Sequence, residues 1–250
     1  MRLNRIQRPL WLTVLAISLG GCGTLGSLFA ERFTFEGELP ADFALHAQAH
    51  YYVAESHCPG LVSRSQLTKS FETDFQSKPH GYRFAIPASY RISICKAQLY
   101  RVGLFIKGRH GERSWQRTYD NGELQIVDEL PEGFAGFQPD GTLRRQAVCT
   151  WLFQQSHAIS RKGEIEKLLR CKGAGAYLLS QQLPGKTVRL DFSINPNEKP
   201  SYRNSWIKFP EGWKPCLPKP GGWVSCPTPP VFQTFKMNGQ ECTVYPNCTE

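Results

Sequence analysis

Apolar and polar residues alternate along much of this chain. Between Phe43 and Val53, one side carries Phe43, Leu45, Ala47, Ala49, Tyr51 and Val53, and the other His46, Gln48 and His50. A period of two predicts a half-buried β-strand. Tyr82, Phe84 and Ile86 repeat the pattern until Pro87 breaks it. Arg91 to Ile106 is rich in β-branched and aromatic residues and holds one or two strands. Leu67, Phe71 and Phe75 recur at helical spacing, with a strand nearly as good a fit.

Arg109 to Glu112 predicts a turn, followed by a strand through Trp115, Arg117 and Tyr119. Asp120-Asn121-Gly122 is the strongest short hairpin signal, because Asn-Gly accepts positive φ at both central turn positions. Glu123 to Val127 is then the returning strand, and the polar Glu129 to Gly141 a loop. Ala147 to Phe153 and Lys186 to Phe192 read as strands. Glu164 to Cys171 fits a short helix or a strand. The strand is preferred, since a bridge to Cys149 would then cross a hairpin. Lys172 to Ala176 lacks the ending of a phosphate-cradling loop and reads as a plain turn.

From Asn195 the pattern breaks. Ten of the 18 prolines and four cysteines lie beyond this point, with Trp206, Trp213 and Trp223 among few aliphatics. Such a segment cannot build an aliphatic core and compensates with staples. Many short strands separated by turns favour a sandwich over alternating β-α units. The expectation is an all-β, β-sandwich-like body over 32–194 and a disulfide-stapled, Pro/Trp-rich, irregular extension over 195–250.

The first residues are of another kind. Arg2, Arg5 and Arg8 precede an uncharged apolar run from Pro9 to Leu19, the order of an export signal. As a helix that run reaches only about 16 Å, against a hydrocarbon core of about 30 Å. The run closes on Leu19-Gly20-Gly21-Cys22, which resembles the lipobox of bacterial lipoproteins. A rival cleavage after Ala30 is disfavoured by Leu28, which stands where a small residue is wanted. The resemblance implies that 1–21 is removed and that Cys22 carries a diacylglycerol, with 22–31 as tether. Two or more acyl chains hold a protein stably on its bilayer. Gly23, where a retention signal would be Asp, implies the outer membrane, facing the periplasm.

Removing Arg2, Arg5 and Arg8 lowers the formal charge from +9 to +6. A basic balance often means nucleic acid, but an exported protein seldom meets it. Arg101, Lys107, Arg109, Arg113 and Arg117 crowd one predicted hairpin. They read as a solvated face, an acidic-protein contact or a head-group contact.

With Cys22 spent on lipid, eight cysteines remain, an even number that reads as four disulfides in an oxidising compartment. Eight permit 105 pairings. Local order favours Cys58–Cys95, Cys149–Cys171, Cys216–Cys226 and Cys242–Cys248. No C-x-x-C occurs, so a metal reading fails on spacing.

The sequence offers no catalytic signature: no G-x-S-x-G, no H-E-x-x-H and no dinucleotide fingerprint. His46 and His50 lie about 13 Å apart on a strand, too far to share one ion. No cofactor, metal or catalytic residue is assigned. The aromatic set of the extension covers the body's sheet or binds a partner, since aromatics and arginine dominate interface hot spots.

The segments RISICKAQLYRV, AVCTWLF, GEIEKLLRCKG and ECTVYPNCTE together resemble uncharacterised lipoproteins of Gram-negative bacteria. Some proteins of that layout are suspected immunity proteins against type VI secretion toxins. The expected function is a membrane-anchored, non-enzymatic module that binds a protein partner, through Arg109, Arg113 and Arg117 and through Trp213 and Trp223. An envelope hydrolase whose site forms only in space, or a structural outer-membrane accessory, are the alternatives.

Overall fold

The structure is a computed structural model that describes residues 30–54, 58, 62–221 and 225–248. Cys22 with its leader, all of the tether before Ala30, and Trp223 lie outside the described residues.

The strands are β1 (Arg32–Leu39), β2 (Phe43–Val53), β3 (Thr68–Glu72), β4 (His80–Pro87), β5 (Ser89–Ile92), β6 (Cys95–Arg109), β7 (Arg117–Val127) and β8 (Thr142–Gln155). They continue with β9 (Ile165–Lys172), β10 (Gly175–Leu179), β11 (Thr187–Pro200), β12 (Trp206–Phe209), β13 (Gly212–Pro215), β14 (Phe235–Met237) and β15 (Gln240–Cys242). One sheet runs β4-β1-β11-β8-β9 and the other β10-β7-β6-β2-β3, with β5 alongside the start of β6. The result is a curled β-sandwich with its core between the sheets. Phe33, Phe35 and Leu39 of β1 meet Phe43, Leu45, Ala47, Ala49 and Tyr51 of β2 there, with Leu104 and Ile106 of β6 and Val188 and Leu190 of β11. Each contributes alternate positions, as a pleated strand must.

Two devices set how closely the strands pack. Tyr82 lies opposite Gly37 in the β1–β4 pair and donates its hydroxyl to the Leu190 carbonyl at 2.8 Å. A Cβ on Gly37 would fall 1.9 Å from that same oxygen, so no other residue fits. Burial drives the Tyr82 phenol far above its ordinary pKa.

The second device overturns a sequence expectation. Asp120-Asn121-Gly122 is not a turn: β7 passes straight through it, paired with β6 from Thr118 to Gln125. Gly122 is required because the Ala174 carbonyl approaches to 2.0 Å of where its Cβ would stand. Asp120 accepts the Cys171 amide at 2.6 Å. These contacts stitch the two sheets where the chain crosses between them. The true connection is His110–Gln116, with a 3-10 turn at Ser114–Gln116. The 67–75 segment holds β3 after a 3-10 turn, not a helix, and β9 is the strand returning to Cys149.

Four disulfides join the pairs that local order favours: Cys58–Cys95, Cys149–Cys171, Cys216–Cys226 and Cys242–Cys248. The first two lie in the body and the last two in the extension, so none crosses from one to the other.

The extension is more regular than its composition predicts. It begins while β11 is still running: that strand passes Asn195 with a register shift before Lys199 and ends at Pro200. Two small hairpins follow, β12–β13 and β14–β15. Their rings make a second core of Trp206, Phe235, Cys242 and Tyr245, completed by Phe153 of β8 and Ile165 of β9. The body therefore lends two residues to a cap that could not close its own core.

Candidate functional site

Strand directions give the molecule two ends. β1, β11 and β8 run parallel, and β1 starts from Ala30–Glu31. At the entry end lie the start of β1 and, through the Ala88 amide bonded to Glu31, the end of β4. At the opposite end lie the finish of β8, its connection to β9, and the cap. The β6–β7 connection is there too, because Arg161 before β9 stacks its guanidinium over Trp115 at 5.1 Å. The two surfaces singled out from sequence, the arginine-bearing connection and the extension, thus meet at one end of the fold.

Their residues divide on inspection. Arg109 is committed: its Nε and Nη2 both reach Oδ1 of Asp42 at 2.8 Å, and Phe75 lies 5.5 Å from the guanidinium. Arg117 lies 5.9 Å from the same ring and Arg113 6.0 Å from Trp115. Both are exposed. Trp213 packs one edge on Phe153 at 5.9 Å and takes Lys208 at 5.7 Å from its ring. Its backbone pairs with Tyr245. It builds the cap at least as much as it faces outward.

Tyr202, Trp206 and Phe232, from the extension's aromatic set, make the rest together with residues that the sequence did not single out. A cleft of about 420 Å3 separates the β8–β9 connection from the cap, with His157 and Lys162 on one wall and Tyr202, Leu217 and Pro218 on the other. Trp206 lines it as well. Ile159, on a 3-10 turn in that connection, is 98 % exposed. Tyr202, Leu217, Val231 and Phe232 are each about half exposed. The Leu217 amide donates to the Val231 carbonyl at 2.7 Å, so these two side chains belong to one patch. A lone exposed apolar residue means little; here Tyr202 and Leu217 line the cleft, and Ile159, Val231 and Phe232 lie on the segments that border it. For Ile159 the sequence signal is one β-branched residue in the otherwise small or polar stretch Ser156–Gly163.

Beneath the cleft, the seam between body and cap is polar and fully engaged at its centre. Lys167 reaches Glu198 at 2.7 Å, and the Tyr245 hydroxyl donates to the other oxygen of that carboxylate. Burial and the Glu198 charge drive the Tyr245 phenol strongly upward. His110 sits beside Trp151 at 5.7 Å between ring centroids, with its Nε2 buried and unpartnered. Burial, reinforced by the Lys167 ammonium, pushes its imidazole down to about 4.

That depression makes stability pH-dependent. The unfolded chain takes a proton on His110 near pH 6.5, and the folded protein resists until about 4. The His110 contribution to stability is flat above pH 6.5 and falls as pH drops through that window. Urea midpoints measured from pH 7.5 to 4 are expected to decline less in His110→Gln than in the wild type. Equal slopes would show that His110 titrates freely in the fold.

On the other sheet, His46 and His50 share the outer face, as their parity requires. His46 stands 3.9 Å from Glu72, which also pairs with Lys107 at 3.9 Å. His50 lies against Tyr100, and burial together with Arg101 lowers its pKa. Among the described residues no group of three or more His, Cys, Asp or Glu side chains is placed to hold a metal ion. The side chains lining the distal cleft are apolar, polar or basic, with no carboxylate among them. The chain matches no protein-family model, no curated protein and no solved structure.

Proposed function

We propose that this chain is a lipid-anchored bacterial envelope protein that works as a non-enzymatic binding module for a protein partner. Immunity to a secreted toxin is the specific form we favour. One observation carries the reading: the chain enters β1 at one end, and five exposed apolar residues gather with Arg113, Arg117 and Lys162 at the other. An anchor at Cys22 would hold the entry end near the bilayer and present the distal cleft outward. Tethering also raises the effective concentration of a binder where its partner arrives. The mixture of Ile159, Tyr202 and Leu217 with Arg113, Arg117 and Lys162 suits an acidic partner with an apolar anchor.

Crosslinking in intact envelopes, followed by partner identification, tests the module. Ile159→Asp and Leu217→Asp are each expected to cost about 2 kcal/mol of binding, roughly thirtyfold in Kd. Charge reversal at Arg113 and Arg117 is expected to slow association at low salt. Full retention of the partner in all of these variants would remove the distal end from the proposal. Mass spectrometry of the native polypeptide tests the anchor separately, through diacylglycerol on Cys22 and loss of Met1–Gly21.

A further inference from the structure

β8 carries a charged residue where its pattern calls for an apolar one. Leu143, Ala147 and Cys149 face the core, and Arg145 shares their parity. Its neighbour across the pair is Leu190, which is buried. The β8–β9 ladder ends at Val148–Lys172, where the chain turns out of one sheet towards β10 in the other. Arg145 therefore lies where the two sheets part.

One edge of its guanidinium is unsatisfied. Nε and Nη2 are both buried and neither has a hydrogen-bond partner. Those two N–H groups form one edge of the guanidinium, the parallel fork that grips a carboxylate or phosphate with two bonds. Elsewhere in this protein the same edge is filled. Arg109 gives it to Asp42, and Arg189 divides it between Asp191 at 2.9 Å and Glu38 at 3.1 Å. Asp191 is thereby engaged and makes no ion pair with Arg145. A desolvated cation without a counter-charge is costly, and native proteins seldom keep one without a use.

Arg145 borders a depression of about 560 Å3, together with Arg144, Phe134, Gly173, Gly175 and Asp191. Phe134 is fixed there by edge contact with Tyr177, 4.6 Å between centroids. Glycine at 173 is needed both for its positive φ and because a Cβ would meet the Gln146 carbonyl at 2.6 Å. The rim is thus small and close, with one apolar wall, two cations and the Asp191 carboxylate, whose charge Arg189 holds.

We infer that Arg145 is the receptor for an oxyanion, a carboxylate or a phosphate borne on a small organic body. The fork rotates about its own side-chain torsions into the depression and takes the anion side-on. Arg144 adds a second positive charge at the rim, and Phe134 supplies the surface for the organic part. The site depends on neither the anchor nor the protein partner.

The test titrates inorganic phosphate, glycerol 3-phosphate and N-acetylglutamate into the mature protein at constant ionic strength. Arginine Nε–H resonances and the thermal midpoint are followed together. One Nε–H signal is expected to shift saturably, and its absence in Arg145→Lys assigns it. That variant keeps the charge but loses the fork, so affinity is expected to fall about tenfold. Arg145→Met is expected to match or exceed the wild-type midpoint without ligand and to gain nothing from any anion. Saturation by phosphates alone, or by N-acetylglutamate alone, identifies which source the site serves. The inference is overturned if no arginine Nε–H responds to any of the three. It is equally overturned if Arg145→Met is stabilised as much as the wild type.

Discussion

Phe153→Ala is expected to destabilise the protein by about 3–5 kcal/mol, the range for deleting a fully buried aromatic ring. Phe153 is 0 % exposed. Its ring touches three others, with centroids 4.2 Å from Tyr245, 5.1 Å from Trp206 and 5.9 Å from Trp213. Those rings belong to the cap, whereas Phe153 belongs to the body. No disulfide joins cap and body, so this packing, the Lys167–Glu198–Tyr245 contacts and a few amide bonds hold them together. The loss should therefore be uneven. Tryptophan emission is expected to shift red at a lower urea concentration than the far-ultraviolet signal of the sheets. Limited proteolysis should cut within 201–250 first. If both signals move together by less than about 1 kcal/mol, the cap is held by something other than the shared core.

Gly37→Ala is expected to be as damaging for the opposite reason. Overfilling a packed site usually costs about 1–3 kcal/mol. Here the obstacle is a backbone carbonyl in the neighbouring strand, 1.9 Å from the added methyl, with the Tyr82 hydroxyl at 3.0 Å. Neither β1 nor β11 can step aside alone, because each is paired on both sides within its sheet. The substitution should also break the hydrogen bond from Tyr82 to Leu190. A loss of about 3 kcal/mol or more is the expected result in urea unfolding. Gly81→Ala is the control: its Cβ would lie 3.6 Å from the nearest atom, and it should cost under about 1 kcal/mol. Equal losses at Gly37 and Gly81 would show that backbone freedom, not close approach, selects glycine at both.

Much of the architecture is written in the alternation of the chain. FALHAQAHYYV, AVCTWLF and KTVRLDF become β2, β8 and β11, and their inward residues are those the period of two selects. β1 escaped, although Phe33, Phe35 and Leu39 alternate in RFTFEGEL. The reason is positional: it follows directly on a segment dominated by the export pattern. Asn121-Gly122 misled because a glycine for tight turning and a glycine for close approach are identical in one dimension. Neighbours were illegible as well. Alternation tells which side a residue faces but not which strand lies beside it, so the parallel β1–β11–β8 arrangement had no signature. The same holds for the site. A basic stretch near Arg113 and an aromatic set near Trp213 were each visible, but only the strand directions bring them to one end. Arg145 did carry a signal, a charge at an inward parity between Leu143 and Ala147.

The pairing of β1 with β11 bears on how the polypeptide matures. Glu38 bonds to Asp191 across 153 intervening steps of sequence, and β1 lies between β4 and β11. A chain that emerges amino-terminus first leaves one side of β1 vacant until residue 187 and beyond have followed. Contacts of such long range close slowly. Until then β1 has only β4 beside it, and the last quarter of the chain to arrive closes its sheet.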